Sequence, residues 1–122
     1  QSWVNLTQPG SAGHHQHTHS NSVISGVLYI QTNDVDDVTF TNQFLSFSTI
    51  RVTTKKYNQF NSNTWRLPVS AGKLILFPSN VPHHVDSPIG NKDRITLSFN
   101  VFPFGILGER DQLGELRILE DK

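Results

Sequence analysis

All six histidines of this 122-residue chain lie in two short stretches. The first is His14-His15-Gln16-His17-Thr18-His19, and the second is Val81-Pro82-His83-His84-Val85. Histidine is the commonest side-chain ligand for metal ions. On an extended strand, residues two apart point the same way, so His15, His17 and His19 would share a face and two of them could hold one ion. A solvated polar loop or a purification tag would also contain such a run, but ordinary non-repetitive sequence flanks this one on both sides. His83 follows Phe77-Pro78-Ser79-Asn80-Val81-Pro82, which puts it at a strand start on the rim of a sheet. Eleven residues later Arg94 opens the polar half of an alternating segment. An arginine turned into a barrel needs an anion, because an unpaired buried charge costs several kcal/mol. Its planar fork suits a carboxylate held by two hydrogen bonds. That carboxylate is either a protein Asp or Glu or part of a bound organic acid.

The elements that must position these groups read as strands. Ser22–Ile30 is rich in apolar and β-branched residues and is followed by a polar turn. Asp37–Asn42 alternates with a two-residue period, and so does Leu45–Thr54. A polar loop from Lys55 to Asn63 precedes a short strand from Thr64 to Val69. Gly72 turns the chain into Lys73–Phe77, which Pro78 stops, and Val81–Val85 makes another short strand. From Arg94 to Val101, Ile95, Leu97, Phe99 and Val101 form an apolar face, while Arg94, Thr96, Ser98 and Asn100 form a polar one. That polar face turns either to water or to a polar cavity inside a barrel. A weak amphipathic helix is predicted over Arg110–Leu119. Short strands separated by turn clusters indicate an all-β sandwich or barrel, organised as one domain over residues 1–122.

Composition narrows the function classes. Ten basic and ten acidic side chains cancel, so no cationic surface for nucleic acid is expected. With no cysteine there are no disulfides, thiolate metal sites or cysteine nucleophiles. Absent disulfides fit a cytoplasmic location. No apolar stretch approaches the roughly 20 residues of a membrane-spanning helix, and no signal segment opens the chain. The chain starts at Gln1 and holds no methionine, so it reads as a processed chain or a fragment that lacks an N-terminal extension. The charged, apolar-studded tail from Gly105 could pair with another copy as a homodimer.

Phe77-Pro78-Ser79, His83-x-Val85 and Arg94-x-Thr96-x-Ser98-Phe99-Asn100 together resemble the C-terminal half of the iron(II)- and 2-oxoglutarate-dependent dioxygenases. Trp3-Val4-Asn5 and His17-x-His19-x-Asn21-Ser22-x-x-Ser25-Gly26-Val27-Leu28-Tyr29 are similar to one branch of them, the small oxygenases of bacteria and phages. Asp37-Val38-Thr39-Phe40 and the segment from Trp65 through Pro68 to Gly72-Lys73-Leu74-Ile75-Leu76-Phe77 also fit that branch. The resemblance runs from about Trp3 to Val101. It implies a double-stranded β-helix, a cupin-like jelly roll of two antiparallel sheets. It implies Fe(II), O2 and 2-oxoglutarate as small-molecule cosubstrate, with a substrate hydroxylated as succinate and CO2 are released. By the same resemblance the metal ligands are His17, His19 and His83, and Arg94 holds 2-oxoglutarate with Thr96 beside it. Tyr29 and Asn5 are further cosubstrate candidates, and Asn100 and Ser98 are placed to orient either ligand.

The family's usual second ligand is Asp or Glu, whereas His19 stands there in this chain. Three neutral imidazoles leave the iron at a formal +2, where a carboxylate would leave +1. His15 with His17, or a carboxylate such as Asp34, are the alternative ligands. Two other functions compete. One is a cupin-like three-histidine metalloenzyme that does not use 2-oxoglutarate, from which Arg94 distinguishes the first reading. The other is a non-catalytic β-sandwich binding module whose metal, if present, is structural; chelation separates it, because loss of activity without loss of fold indicates a catalytic metal. The Lys55–Asn63 loop is expected to shape substrate access, since binding residues concentrate on loops.

Overall fold

A computed structural model describes residues 1–46, 49–50 and 53–119. The chain order is β1 (Ser2–Thr7), β2 (His14–His17), β3 (Ile24–Gln31), β4 (Asp37–Thr41), a single helical turn α1 (Gln43–Ser46), β5 (Thr64–Pro68), β6 (Leu74–Pro78), β7 (His83–Val85), β8 (Arg94–Val101), β9 (Gly105–Leu107) and β10 (Leu116–Ile118). Eight of these strands form two antiparallel sheets, with orders β1-β8-β3-β6 and β2-β7-β4-β5. They face each other as a jelly roll of the double-stranded β-helix type. A separate β9–β10 hairpin follows.

The first sheet has its polar side turned inward. Asn5 pairs with Thr96 and Thr96 with Tyr29, while Trp3 pairs with Ser98. Residues opposite one another in a ladder project to the same side, so these form layers across the inner face. Arg94, Thr96 and Ser98 are accordingly buried. The intervening residues point outward: Val4 is 63% exposed and Leu76 58%, with Leu6, Ile24, Ile30 and Leu74 also exposed. An apolar outer face is the reverse of the usual arrangement for a half-buried sheet. Gly26 belongs to that face, and the ring of Phe99 lies across it where any side chain would collide. The small apolar core lies deeper between the sheets, where Tyr29, Val38, Val69, Ile75 and Phe77 are buried together.

The expected strands agree with the fold except over Leu45–Thr54, the helix expected over Arg110–Leu119 is not formed, and β1 and β9 were not among the expected strands. Leu45 and Ser46 lie in α1, not in a strand over Leu45–Thr54. The Asn42 carboxamide oxygen accepts from the Phe44 and Leu45 amides at 3.1 and 3.4 Å and caps that turn. Thr49, Ile50, Thr53 and Thr54 are not in strands, and Phe47, Ser48, Arg51 and Val52 lie outside the described residues. In the predicted helix over Arg110–Leu119, residues 110–113 make a turn and Leu116–Ile118 form β10. Leu113 at φ 55° and Gly114 interrupt any helical run, and pairing with Gly105–Leu107 satisfies the backbone instead.

β2 reaches its place through one glycine. A Cβ at Gly13 would collide with the Val85 carbonyl oxygen and lie 2.7 and 2.8 Å from the next backbone atoms of Asp86 and Ser87. Only the bare backbone of glycine lets the chain enter β2 at this distance from β7. Gly13→Ala is expected to destabilise the protein by about 1–3 kcal/mol and to loosen β2, as measured by urea denaturation and by amide exchange at His14–His17. Wild-type stability would show that the backbone yields there at no cost.

Candidate metal centre

β2 and β7 bring the two histidine stretches together. His14 is opposite Val85 and His17 opposite His83, so three steps along β2 match two along β7. This bulge breaks the two-residue period. It turns His14 and the exposed His17 onto the cavity between the sheets and leaves His15 outside it, correcting the expectation that His15 shares a face with His17. His19 lies just beyond β2, with its backbone N–H donating to the Ser79 carbonyl at 2.9 Å. His83 is only 5% exposed. One nitrogen from each of His17, His19 and His83 lies within 4.8 Å of the other two, a grouping that could hold a metal ion. The ring centroids are 4.4 Å apart for His17–His83, 5.1 Å for His17–His19 and 5.2 Å for His19–His83. Asp34 is exposed and lines no part of this cavity.

Hydrogen counting fixes the tautomers. The Nδ1 of His83 lies 3.0 Å from the Val81 carbonyl, and that of His17 lies 2.7 Å from the His15 carbonyl. A carbonyl only accepts, so both Nδ1 atoms carry a proton, and in the neutral ring Nε2 is the atom with the lone pair. For His19 the decision comes through a chain of hydroxyls. Ser22 Oγ is 3.0 and 3.1 Å from the carbonyls of Ile24 and Val101, and must donate to them. Ser79 therefore donates to Ser22 at 2.8 Å, and Ser25 to Ser79 at 2.8 Å. Ser25 then has no hydrogen left for Asn100, whose amide lies 2.7 Å away on one side and 3.3 Å from His19 Nδ1 on the other. The two ends of a carboxamide have the same shape and are told apart by such counting. As placed, Asn100 turns Oδ1 toward Ser25 and Nδ2 toward His19; counting exchanges the two ends, so that the nitrogen donates to Ser25 and the oxygen accepts from His19 Nδ1–H. In its neutral form each of the three rings thus presents an unprotonated Nε2, as a metal ion requires.

Burial disfavours the charged forms of His83, His19 and His14. It pushes His83 down from 6.5 to about 4, assisted by repulsion from His17, His19 and His14 and opposed by the Val81 hydrogen bond. His19 is lowered by burial and then by His17. His14 is lowered by burial and then by Arg94 and His17. The rings of Phe77 and Phe40 stand 4.6 and 5.9 Å from His83, and Trp3 stands 6.0 Å from His19, so one flank is apolar.

The opposite flank of the same cavity holds Arg94, Thr96, Ser98, Asn5 and Tyr29. Arg94 is 4% exposed. Its Nη1 donates to the Asp86 carbonyl at 3.5 Å and lies 4.0 Å from Asp36 Oδ1. Asp36 is buried and is fixed in turn by the Asn33 amide at 2.8 Å. Nε and Nη2 of Arg94 have no hydrogen-bond partner among the described residues, so most of the fork remains available. Asn5 Nδ2 donates to Thr96 and Ser98 at 3.3 and 3.0 Å. Burial raises Tyr29 to about 12, so it remains a hydroxyl donor at neutral pH. The cavity volume is ≈ 90 Å³, room for about six to nine water-sized positions, which suits a small organic acid.

Eight sequence-selected residues, His17, His19, His83, Arg94, Thr96, Ser98, Tyr29 and Asn5, therefore meet in one cavity, and Asn100 stands behind His19. His14, Asp36 and the Ser22–Ser79–Ser25 chain were not selected. The bulge hides His14 from any periodicity argument. Asp36 sits in a turn where its burial leaves no sequence signal. The serines are brought together only by three-dimensional packing.

Residues 1–100 match the family model described as "Putative 2OG-Fe(II) oxygenase". The chain belongs to this family. No curated protein matches it in sequence. Its fold resembles that of CapF, the capsular polysaccharide assembling protein from Staphylococcus aureus, in crystal structures of space group C2221 and with the inhibitor 3-isopropenyl-tropolone. In both cases identity is 14% and the TM-score 0.53, with 98% of this chain covered. This chain spans 28% of CapF's length, and at that identity the likeness concerns the fold alone.

Two outcomes follow for the metal-free protein. Nitrogen-15 NMR at neutral pH should show His17, His19 and His83 protonated on Nδ1. Asn100→Leu should switch His19 alone to the Nε2–H form, whereas an unchanged His19 would show that Asn100 does not set its tautomer. Stability should also fall on acidification. His83 binds its proton less well folded than unfolded, so stability is complete above pH 6.5 and is lost as pH falls toward about 4. The loss is on the order of 3 kcal/mol from this residue, and His14 and His19 act in the same direction. Urea denaturation at pH 7 and pH 4.5 measures it, with His83→Phe expected to flatten the difference.

Proposed function

We propose that the chain is an Fe(II)- and 2-oxoglutarate-dependent dioxygenase that hydroxylates a substrate with release of succinate and CO2. The carrying observation is the shared cavity, with three imidazole lone pairs converging at one end and an open guanidinium fork at the other. In this reading His17, His19 and His83 would hold Fe(II), the ion that would work with 2-oxoglutarate and O2. Bound iron supplies the oxidative chemistry, as metal cofactors generally do. The protein binds, orients and shields.

Each neighbouring residue has a part. The Nδ1 hydrogen bonds of the three rings hold their orientation and raise their basicity. Arg94 receives the far carboxylate of 2-oxoglutarate, with Thr96 Oγ1 and the Tyr29 hydroxyl within the same polar layer. Asn5 keeps Thr96 and Ser98 in place. Phe77, Phe40 and Trp3 keep water away from the metal side. The charges also balance: Fe(II) and Arg94 supply +3, and dianionic 2-oxoglutarate and Asp36 supply −3. An Asp in place of His19 would add one uncompensated negative charge. The all-histidine set also supports the second reading, a three-histidine metalloenzyme without 2-oxoglutarate, and Arg94 discriminates between them.

His83→Ala is expected to keep its fold and to lose stoichiometric iron, measured by circular dichroism and anaerobic Fe(II) titration. Iron retained at one equivalent would remove His83 from the ligand set. Arg94→Lys preserves the charge facing Asp36 and removes the fork. It should raise the 2-oxoglutarate concentration needed for half-saturation about tenfold or more, at a cost of at least about 1.4 kcal/mol, with iron binding unchanged. Undiminished 2-oxoglutarate binding in that variant would favour the second reading.

A further inference from the structure

A groove of ≈ 350 Å³ lies beside the cavity and shares one wall with it, the ring of Phe40. The sheet register explains the adjacency. His17 is opposite His83, His83 opposite Phe40, and Phe40 opposite Trp65. These four residues form one rung and project to one face. Neighbouring strands are about 4.8 Å apart, so Trp65 stands about 10 Å from His83 along that rung. The inner cavity suits a small acid, and a larger second reactant needs space of this kind next to it.

The lining identifies the ligand chemistry. Among the described residues the groove contains no Asp, Glu, Lys, Arg or His. A charged ligand would lose water there and gain no counter-charge. Phe44 is 92% exposed and Trp65 38%, so two aromatic surfaces stand open to solvent, where exposed apolar clusters mark recognition sites. Around them lie Gln43, Gln59 and Asn80. Their carboxamides make no hydrogen bonds among the described residues. Each offers donors and an acceptor together, and a hydroxyl group likewise both donates and accepts. Open aromatic faces with free carboxamides at their edges fit a ring that has an apolar face and a hydroxylated rim.

We propose that this groove binds an uncharged, hydroxylated ring, a neutral sugar unit, as the substrate to be oxidised. The proposal rests on the oxygenase reading for its reaction and on the groove alone for its binding. Gln59 lies in the Lys55–Asn63 loop expected from sequence to shape substrate access, and Trp65 stands on the edge strand beside it.

The test uses the whole chain, with and without Fe(II). Neutral mono- and disaccharides of gluco, galacto and manno configuration are titrated and followed by NMR of the Trp65 indole and the Gln43, Gln59 and Asn80 side-chain amides. Glucuronate and a neutral tripeptide serve as comparisons. At least one neutral sugar should shift these signals saturably, and Trp65→Ala should weaken it tenfold or more while Fe(II) and 2-oxoglutarate bind as in the wild type. With iron loaded, the same sugar should stimulate succinate release. No response to any neutral sugar, or tighter binding of glucuronate or the tripeptide, would overturn the assignment. Saturable sugar binding in a protein that fails to bind iron or 2-oxoglutarate would overturn the oxygenase reading and leave the groove assignment standing.

Discussion

Three imidazole lone pairs directed at one point are held there by three hydrogen bonds on the far sides of the rings. Val81 and His15 receive two of them through backbone carbonyls. The third passes through Asn100 into a line of serine hydroxyls that ends on the carbonyls of Ile24 and Val101. If any link reversed its direction, His19 would turn a proton toward the other two rings. The centre is thus set by backbone atoms of both sheets as much as by the histidines. Burial supports it, since a desolvated imidazole resists the second proton that would end its capacity as a ligand.

That arrangement requires a polar interior in a small domain. Buried polar groups are tolerable only when each finds a partner. Here the inner face of β8 finds them in Asn5, Asp36 and the cavity itself, at the expense of apolar packing. The hydrophobic core is correspondingly small, five buried side chains with a few half-buried neighbours. The apolar residues that a sandwich would normally bury stand instead on the outer face of the β1-β8-β3-β6 sheet. The outer face of the other sheet is polar, with Arg66 paired to Asp37 and Asp86 at 2.8 and 3.2 Å. The two sheets therefore divide the work. One supplies a polar lining for an anion, and the other supplies the rung on which His17, His83, Phe40 and Trp65 stand in line.

The sequence alone determined the strand content, the alternation of β8 and the identity of most of the site. Histidine, arginine and proline carry their chemistry in the side chain or in a fixed φ, and two-residue periodicity survives any packing. The resemblance to a family supplied the pairing of His83 with His17 and His19, which spacing by itself left open. Tertiary structure decided the rest. It chose which side of β8 faces inward, because both a cavity and water accept polar side chains and only the opposing sheet distinguishes them. It replaced His15 by His14 through a bulge, an extra residue with no composition of its own. It placed Asp36 against Arg94 and joined Ser22, Ser79, Ser25 and Asn100 into one line of hydrogen bonds. Each of these depends on which distant segments meet, and a local pattern of residues contains no information about its partner across the sheet.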